Sequence, residues 1–326
     1  MYPDLRFGVA GVGTLRERLR RHGPALVHVA TPGPLAWAAL RAARSLGLAT
    51  SSDFRTRFDA YCSNYRLGWA QPLAMAWLRR LNTLSDRTFV PTAELARELS
   101  EAHRFQRLAI SARGVDTQRF SPSRRNAELR AHWGLGEGDL ALLYVGRLAP
   151  EKNVGLALDG FEQLRRRVPR AAIVVVGEGP LRAALQARHP DAIFTGAQTG
   201  EALASHYASA DLFAFPSRTD TFGNVVLEAL ASGLAVVAFD TAAAAVHMRH
   251  RDSGWLVPLA APARFAAALH DAVRHAVPDS PLRRNARAAA ERASWSRVLA
   301  DFERQLIDVA QAQRPQERAG TAPEPA

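Results

Sequence analysis

LALLYVGRLAPEKNVGLALDGFEQLRRRVPRAAIVVVGEGP, residues 140–180, decides the fold. Residues 140–145 form an unbroken apolar run rich in strand formers and end at Gly146. Residues 153–168 then space their apolar side chains as a helix does and close on Arg165, Arg166 and Arg167. Residues 171–176 form a second apolar run, stopped by Gly177, Gly179 and Pro180. A strand that never alternates with polar residues is buried on both faces. Strands of that kind joined by helices predict a parallel sheet covered on both sides.

The same grammar continues outward. AIFTGA, LFAFPS (212–217) and LAVVAFD (234–240) read as further strands, with helices at EALASHYASA and FGNVVLEALASG (222–233) between them. Gly233 stands where helix C-termini favour glycine. Together these predict a doubly wound, Rossmann-like domain. The first half repeats the pattern with less material. ALVHVAT (25–31), ATSSDF, TFVPT (88–92) and RLAISARGVD (107–116) read as strands, and PLAWAALRAARSLGL, QPLAMAWLRRLNTLS (71–85) and AELARELSEAH as helices. That gives about four strands, preceded by the polar helical segment TLRERLRRHG, where a full doubly wound domain has five or six. Residues 121–139 carry Pro, Ser and Gly without a strand and read as the linker. The expected division is 1–130, 131–293, a C-terminal helix over 294–313 and a disordered tail over 314–326.

Composition narrows the class. The 326 residues suffice for two ordinary cores, and 48% hydrophobic with 22% charged residues is a globular balance. Cys62 is the single cysteine, which argues against a disulfide framework and for a small buried thiol in a reducing compartment. No run of 18 apolar residues and no signal-peptide pattern occurs, so the expectation is a cytoplasmic protein. The net charge of +11 lies wholly in residues 1–130, which hold 21 Arg against 10 acidic residues. Such asymmetry fits either an anionic membrane surface, with the protein peripheral on its inner face, or an Arg-rich composition with a solvated basic face. The arginines are scattered without interleaved aromatics, so no nucleic acid partner is expected.

Of the 42 basic residues, 41 are Arg and one is Lys152. A chain that has lost every other lysine and keeps this one implies a need for a compact ammonium there. Lys152 closes GRLAPEK (146–152), just past a strand end, where open parallel sheets bind ligands. Arg147 lies five residues earlier across a proline turn, and a guanidinium with an ammonium suits a diphosphate. The second constellation is FPSRTDTFGNVVLE (215–228). A helix starting near Phe222 and Gly223 offers unbonded N–H groups to an anion, and Gly223 permits close approach. Asp220 precedes that start and suits either a sugar hydroxyl or the role of N-cap. Glu228 lies in a helix otherwise built from Val225, Val226, Leu227, Ala229 and Leu230, so its carboxylate needs a partner.

These elements resemble the GT-B glycosyltransferases of family 4. The motifs are GRLAPEK, VVGEGP (175–180), FTG (194–196) and an acidic residue eight positions before Glu228, followed by ALASGLAVVA. In pattern the chain is most similar to the α-mannosyltransferase/sulfoquinovosyltransferase-like subgroup, through ATPGPL (30–35), TSSDFRT (50–56) and RGVDTQRF (113–120). The resemblance implies two Rossmann-like domains facing a cleft, the first incomplete at its N-terminus. It implies that Arg147 and Lys152 bind the donor diphosphate, Glu228 the ribose hydroxyls and Asp220 the donor-sugar hydroxyls. Gly146, Gly177, Gly179, Phe222, Gly223, Asn224 and Val225 would line the donor. The sequence departs from the family in three places. Asp220 stands where Glu is usual, Arg55 stands where many relatives carry an imidazole near sugar and acceptor, and no strand with a Gly-rich loop precedes Tyr2.

The implied function is retaining transfer of a hexose from a UDP- or GDP-linked sugar to a lipid or glycan acceptor. No Asp-x-Asp motif occurs, so neither metal nor cofactor is expected. The rival reading is a truncated or mis-started nucleotide-sugar-binding protein with impaired turnover. An epimerase or phosphorylase of the same fold is disfavoured, because His28 and His103 lack an accompanying acidic cluster in the sequence.

Overall fold

The computed structural model describes residues 8–55, 69, 71–218, 220 and 222–313. Cys62, Tyr2, Thr56 and the tail 314–326 lie outside the described residues. Two compact units divide the chain. The first takes the described residues up to Ser111 together with those from Ala300 onward; the second takes Ala112–Leu299.

The first unit is a four-stranded parallel sheet, β1 (Leu26–Val29), β2 (Ala49–Asp53), β3 (Arg87–Val90) and β4 (Leu108–Ile110), in that spatial order. Its helices are Val12–His22, Pro34–Ser45, Gln71–Leu84 and Ala93–His103. Thr92 caps the last of these by accepting a hydrogen bond from the Leu95 N–H. The expected strand over 107–116 shrinks to three residues, because Ser111 onward leaves the sheet.

The second unit is a six-stranded parallel sheet built from β5 (Leu140–Val145), β6 (Ala171–Val176), β7 (Ile193–Gly196), β8 (Leu212–Phe215), β9 (Ala235–Phe239) and β10 (Trp255–Val257). Its order is β10-β9-β8-β5-β6-β7. The apolar strands are buried on both faces, as the absence of alternation predicts. Along β5, Ala141, Leu143 and Val145 enter one core cluster, while Leu140, Leu142 and Tyr144 enter the other. The chain order reverses between β5 and β8. Ligands of doubly wound sheets bind at the carboxyl ends of the strands flanking such a reversal. Strand β10 and the helices Ala242–His247, Phe265–Val273 and Pro281–Arg292 complete the unit.

The boundary corrects the expected division. Residues 121–139 are packed structure of the second unit, not a linker. Asn126 caps the helix Ala127–His132 by accepting from the Leu129 N–H. That helix carries Arg130, 2% exposed. Its guanidinium donates to the carbonyls of Ser209 (2.8 Å), Gly136 (2.7 Å) and Asp139 (2.6 Å) and to Asp211 Oδ2 (2.9 Å). Arg287 likewise donates to the carbonyls of Phe120, Ala231 and Thr117. The planar guanidinium satisfies several carbonyls at once, so the Pro/Ser/Gly composition misled: arginine clamps hold this segment without a strand. The C-terminal helix spans Trp295–Ala312. Phe302 within it packs against Phe89 and His28 of the first unit, ring centroids 4.9 and 5.4 Å apart.

Candidate functional site

Both chemistry-bearing segments emerge from the strands that flank the reversal. After β5 the chain turns through Gly146 and Arg147 into a short 3₁₀ turn, Pro150–Lys152. After β8 it runs through Ser217 and Asp220 to the helix Asn224–Ala231. Because β5 and β8 are neighbours, residues far apart in sequence meet. Lys152 Nζ donates to Asp220 Oδ1 at 2.6 Å, with 19% and 16% of the two side chains exposed.

That pairing decides one open reading. The N-cap of the helix is Gly223, at φ +86°, and no side chain caps it. Asp220 is therefore not the cap. Among the described residues its Oδ2, like Ser217 Oγ, is buried without a hydrogen-bond partner. Buried polar atoms are ordinarily satisfied, and these two sit on the loop where a sugar hydroxyl would be expected. The left-handed backbone at Gly223 favours glycine, and a side chain there would press on the Phe215 ring at 3.3 Å. Phe222 is buried, with its ring edge-on to His247 at 5.7 Å and its carbonyl accepting from the Ala243 N–H at 2.6 Å. Burial, with Arg292 adding to it, pushes His247 down to about 4, so a neutral imidazole backs this loop at physiological pH.

Glu228 has the partner its apolar surroundings require. The fully buried Tyr207 donates its hydroxyl proton to Glu228 Oε2 at 2.9 Å. Burial raises the Glu228 carboxyl above its ordinary value, and the Tyr207 hydrogen bond offsets part of that rise. Burial, then the neighbouring Glu228, holds the Tyr207 phenol far above its usual range. Tyr207 was not legible as a site residue, since its helix, Gly200–Ser209, reads as ordinary core. The available signal was reciprocal: a buried phenol needs an acceptor and Glu228 a donor.

Arg147 is exposed, and its carbonyl accepts from the buried Tyr144 hydroxyl at 3.2 Å. Burial, with Asp220 and Glu151 near, raises the Tyr144 phenol above its usual value. The glycines of VVGEGP serve loop packing. A Cβ on Gly177, at φ +144°, would lie 1.9 Å from the Gly146 carbonyl oxygen; one on Gly179 would lie 2.3 Å from that of Leu148. The two loops are also tied by bonds from Gly146 N–H to Val176 and from Leu148 N–H to Glu178. Asn224 and Val225 occupy the first turn of the helix beyond Gly223.

Arg55 belongs to the first unit, and its guanidinium is already occupied. It contacts both Asp53 oxygens (3.1 and 3.3 Å) and donates to the Ser111 carbonyl (2.8 Å) and hydroxyl (3.2 Å). His28 Nε2 lies 3.6 Å from the same Asp53, and its Nδ1 is 2.9 Å from Ser51 Oγ on β2. Burial works to raise Asp53, but the bonds from His28 and Arg55 outweigh it and hold the carboxyl below its ordinary value. His28 thus has one carboxylate beside it, already paired with arginine.

Among the described residues one set of metal-ligand types converges: Asp159, Glu162 and His189. His189 Nδ1 is 2.5 Å from Glu162 Oε1, and Arg188 takes Asp159 at 2.8 Å. Arginine and imidazole already meet these carboxylates. Among the described residues no helix is long and apolar enough to cross a membrane.

The family model "Glycosyltransferase Family 4" matches residues 1–119, and "Glycosyl transferases group 1" matches residues 139–275. Over 288 residues the chain is 39% identical to a GDP-mannose-dependent alpha-mannosyltransferase of Mycobacterium tuberculosis (strain CDC 1551 / Oshkosh), spanning 85% of this chain and 71% of that protein. It is 32% identical over 227 residues to a sulfoquinovosyl transferase of Arabidopsis thaliana, spanning 68% of this chain and 44% of that protein. The crystal structure of Anabaena HepE in complex with UDP superposes with a TM-score of 0.75 at 18% identity, covering 91% of this chain and 82% of that one. The fold is GT-B, and the chain belongs to family 4 of the glycosyltransferases, in the group of the α-mannosyl- and sulfoquinovosyltransferases.

Proposed function

We propose that this chain transfers a hexose from a nucleoside-diphosphate sugar to a lipid or glycan acceptor, with retention at the anomeric carbon and without a metal. The observation that carries it is the meeting of Lys152 and Asp220 at the β5/β8 reversal, beside the uncapped start of the helix that holds Glu228. The ammonium of Lys152 and the free N–H groups at that start stabilise charge developing on the departing diphosphate, and Arg147 adds a second cation. Glu228 accepts from the ribose diol. Asp220, with one buried oxygen unpartnered among the described residues, accepts from a sugar hydroxyl. The anomeric C–O bond breaks with both electrons going to the diphosphate. The acceptor hydroxyl attacks from the same face and passes its proton to a leaving phosphate oxygen.

Metal independence rests on the missing Asp-x-Asp motif and on two cations in place of a metal. GDP-mannose is the first donor to test, since the 39%-identical relative is named for it. The charge excess of residues 1–130 supports an acceptor held at an anionic membrane surface. Melting-point shifts with GDP-mannose, UDP-glucose and other nucleotide sugars, followed by nucleoside-diphosphate release with added EDTA, test the reading. A donor that raises the melting point and is consumed in EDTA supports it. Consumption that EDTA abolishes, or no response to any nucleotide sugar, overturns it.

A further inference from the structure

In the first unit two neighbouring helices, Pro34–Ser45 and Gln71–Leu84, contain no acidic residue. They present Arg41, Arg44, Arg79 and Arg80 to solvent. The helices are tied at both ends of the shared face. Trp77 Nε1 donates to the Pro32 carbonyl at 2.7 Å, and Arg44 reaches the Leu84 carbonyl at 3.5 Å. The helix Ala93–His103, by contrast, carries Glu94, Glu98 and Glu101.

These helices also expose large apolar side chains. Leu73 is 66% exposed, Leu35 41% and Trp77 36%, and Trp69 just ahead of the helix is 73% exposed. Leu73 and Trp77 stand one turn apart, with Arg80 one further turn along, so the apolar ridge and this cation share one side, while Arg79 extends the cationic surface round the helix. The buried face of the helix is Met75, Leu78 and Leu81, which already packs on the unit's core. Leu73 takes no part in that core packing. Two grooves lie on the Arg79 side of this helix. One of about 510 Å³ is lined by Arg79, His103 and Arg104 among others; one of about 400 Å³ is lined by Arg79, Arg80 and Thr83.

Large apolar side chains in water cost free energy, and clustered ones mark a contact surface. Tryptophan and leucine flanked by arginines, with no carboxylate on either helix, match a single class of partner: the headgroup region of an anionic phospholipid bilayer. We infer that this face seats the protein on such a bilayer. Leu73, Trp77, Leu35 and Trp69 enter the boundary between headgroups and acyl chains. Arg79 and Arg80 hold lipid phosphates in the flanking grooves, while Arg41 and Arg44 extend the cationic rim. The inference rests on the membrane-surface part of the reading above and names the surface that carries it.

The test is co-sedimentation of the full chain with phosphatidylcholine vesicles, with and without phosphatidylglycerol. The wild-type chain binds the anionic vesicles preferentially. Arg79→Ala with Arg80→Ala weakens that binding roughly 30-fold, as loss of two surface-bound cations requires. Leu73→Glu also abolishes most of it. Arg165→Ala with Arg166→Ala, on a helix of the second unit, removes as much charge and leaves binding unchanged. Unaltered melting points and nucleotide binding show that each variant is folded. If anionic preference persists in the helix variants, this surface is wrong while the membrane reading stands. If binding falls with the arginines but survives Leu73→Glu, the face is a general polyanion patch and the bilayer inference is overturned. If the wild-type chain binds neither vesicle, or both equally, the membrane reading fails with it.

Discussion

Removing the ammonium of Lys152 gives the sharpest separation of folding from function. In Lys152→Ala the Asp220 carboxylate loses the partner now 2.6 Å from Oδ1, and its other oxygen already has none among the described residues. Both side chains keep some solvent access, 19% and 16%. The loss of stability should therefore stay near that of a partly exposed ion pair, about 1 kcal/mol, which moves the melting point of a unit this size by about 3 °C. The transition state should suffer more. If Lys152 meets charge that develops only as the diphosphate leaves, its loss removes one preorganised donor. That costs about 3 kcal/mol, or on the order of 150-fold in kcat/KM. Nucleoside-diphosphate release from the donor identified by melting shifts measures it, with melting of the same samples as the folding control. Lys152→Arg sharpens the logic. It keeps the charge and a contact to Asp220, so stability should recover. Its bulkier planar head should leave turnover at least tenfold low, since a chain with 41 arginines has kept one lysine here. Lys152→Ala within about threefold of wild-type turnover would refute the assignment. A fully active Lys152→Arg would refute the argument for a compact ammonium.

Three further outcomes follow from the geometry. Burial raises the Glu228 carboxyl, so this group's contribution to stability is full below the unfolded-state value of about 4.3 and is lost as pH climbs from there through the raised native value. Glu228→Gln, whose amide oxygen still accepts from Tyr207, should be the more stable protein at neutral pH, match wild type near pH 4 in urea unfolding, and bind nucleotide more weakly; a variant less stable at both pH values would contradict this. Gly177→Ala places a methyl 1.9 Å from the Gly146 oxygen at a φ that disfavours L side chains. It should destabilise by about 3 kcal/mol and lower donor affinity, and an unchanged thermal melt would show that the loops are not held as described. Arg130→Ala leaves the carbonyls of Ser209, Gly136 and Asp139 without this donor, while Asp211 keeps Arg125 at 3.1 Å and the Ala141 N–H at 2.9 Å, so chemical denaturation should register a loss of about 3 kcal/mol, while a loss under 1 kcal/mol would deny the clamp.

How much of this was legible in the sequence depended on whether the signal was local. Strands β5, β6, β8 and β9 were legible because burial on both faces leaves an unbroken apolar run. Strand β10, three residues long, has no such run and was not found. The helix at 127–132 was lost inside a presumed linker, since its anchor is an arginine whose partners lie as far as 81 residues away. Site residues followed the same rule. Lys152 was marked by its rarity and Glu228 by its apolar neighbours, so the need for partners was readable. The partners themselves, 68 residues away at Asp220 and 21 away at Tyr207, are set by which strands and helices the topology makes adjacent. The contacts of Arg55 with Asp53 and Ser111 are likewise set by the fold, the second across 56 residues.

The second unit also separates where free energy is gained from where it is given up. Arg130, Arg283 and Arg287 each satisfy backbone carbonyls from buried or half-buried positions, and none lies on the loops after β5 and β8. The local costs gather on those loops and the helix beyond them. Gly223 takes left-handed backbone, Ser217 and Asp220 carry buried atoms without partners among the described residues, and Glu228 is held against its preferred ionisation. Each of these is a local rule broken, and each would be relieved by a phosphate, a sugar hydroxyl or a ribose diol at the same place. A merely structural loop would have no reason to collect all of them, and natural folds concentrate such exceptions where they bind. The stability difference between wild type and Glu228→Gln at neutral pH therefore measures directly what this fold gives up to keep a carboxylate at the proposed donor site.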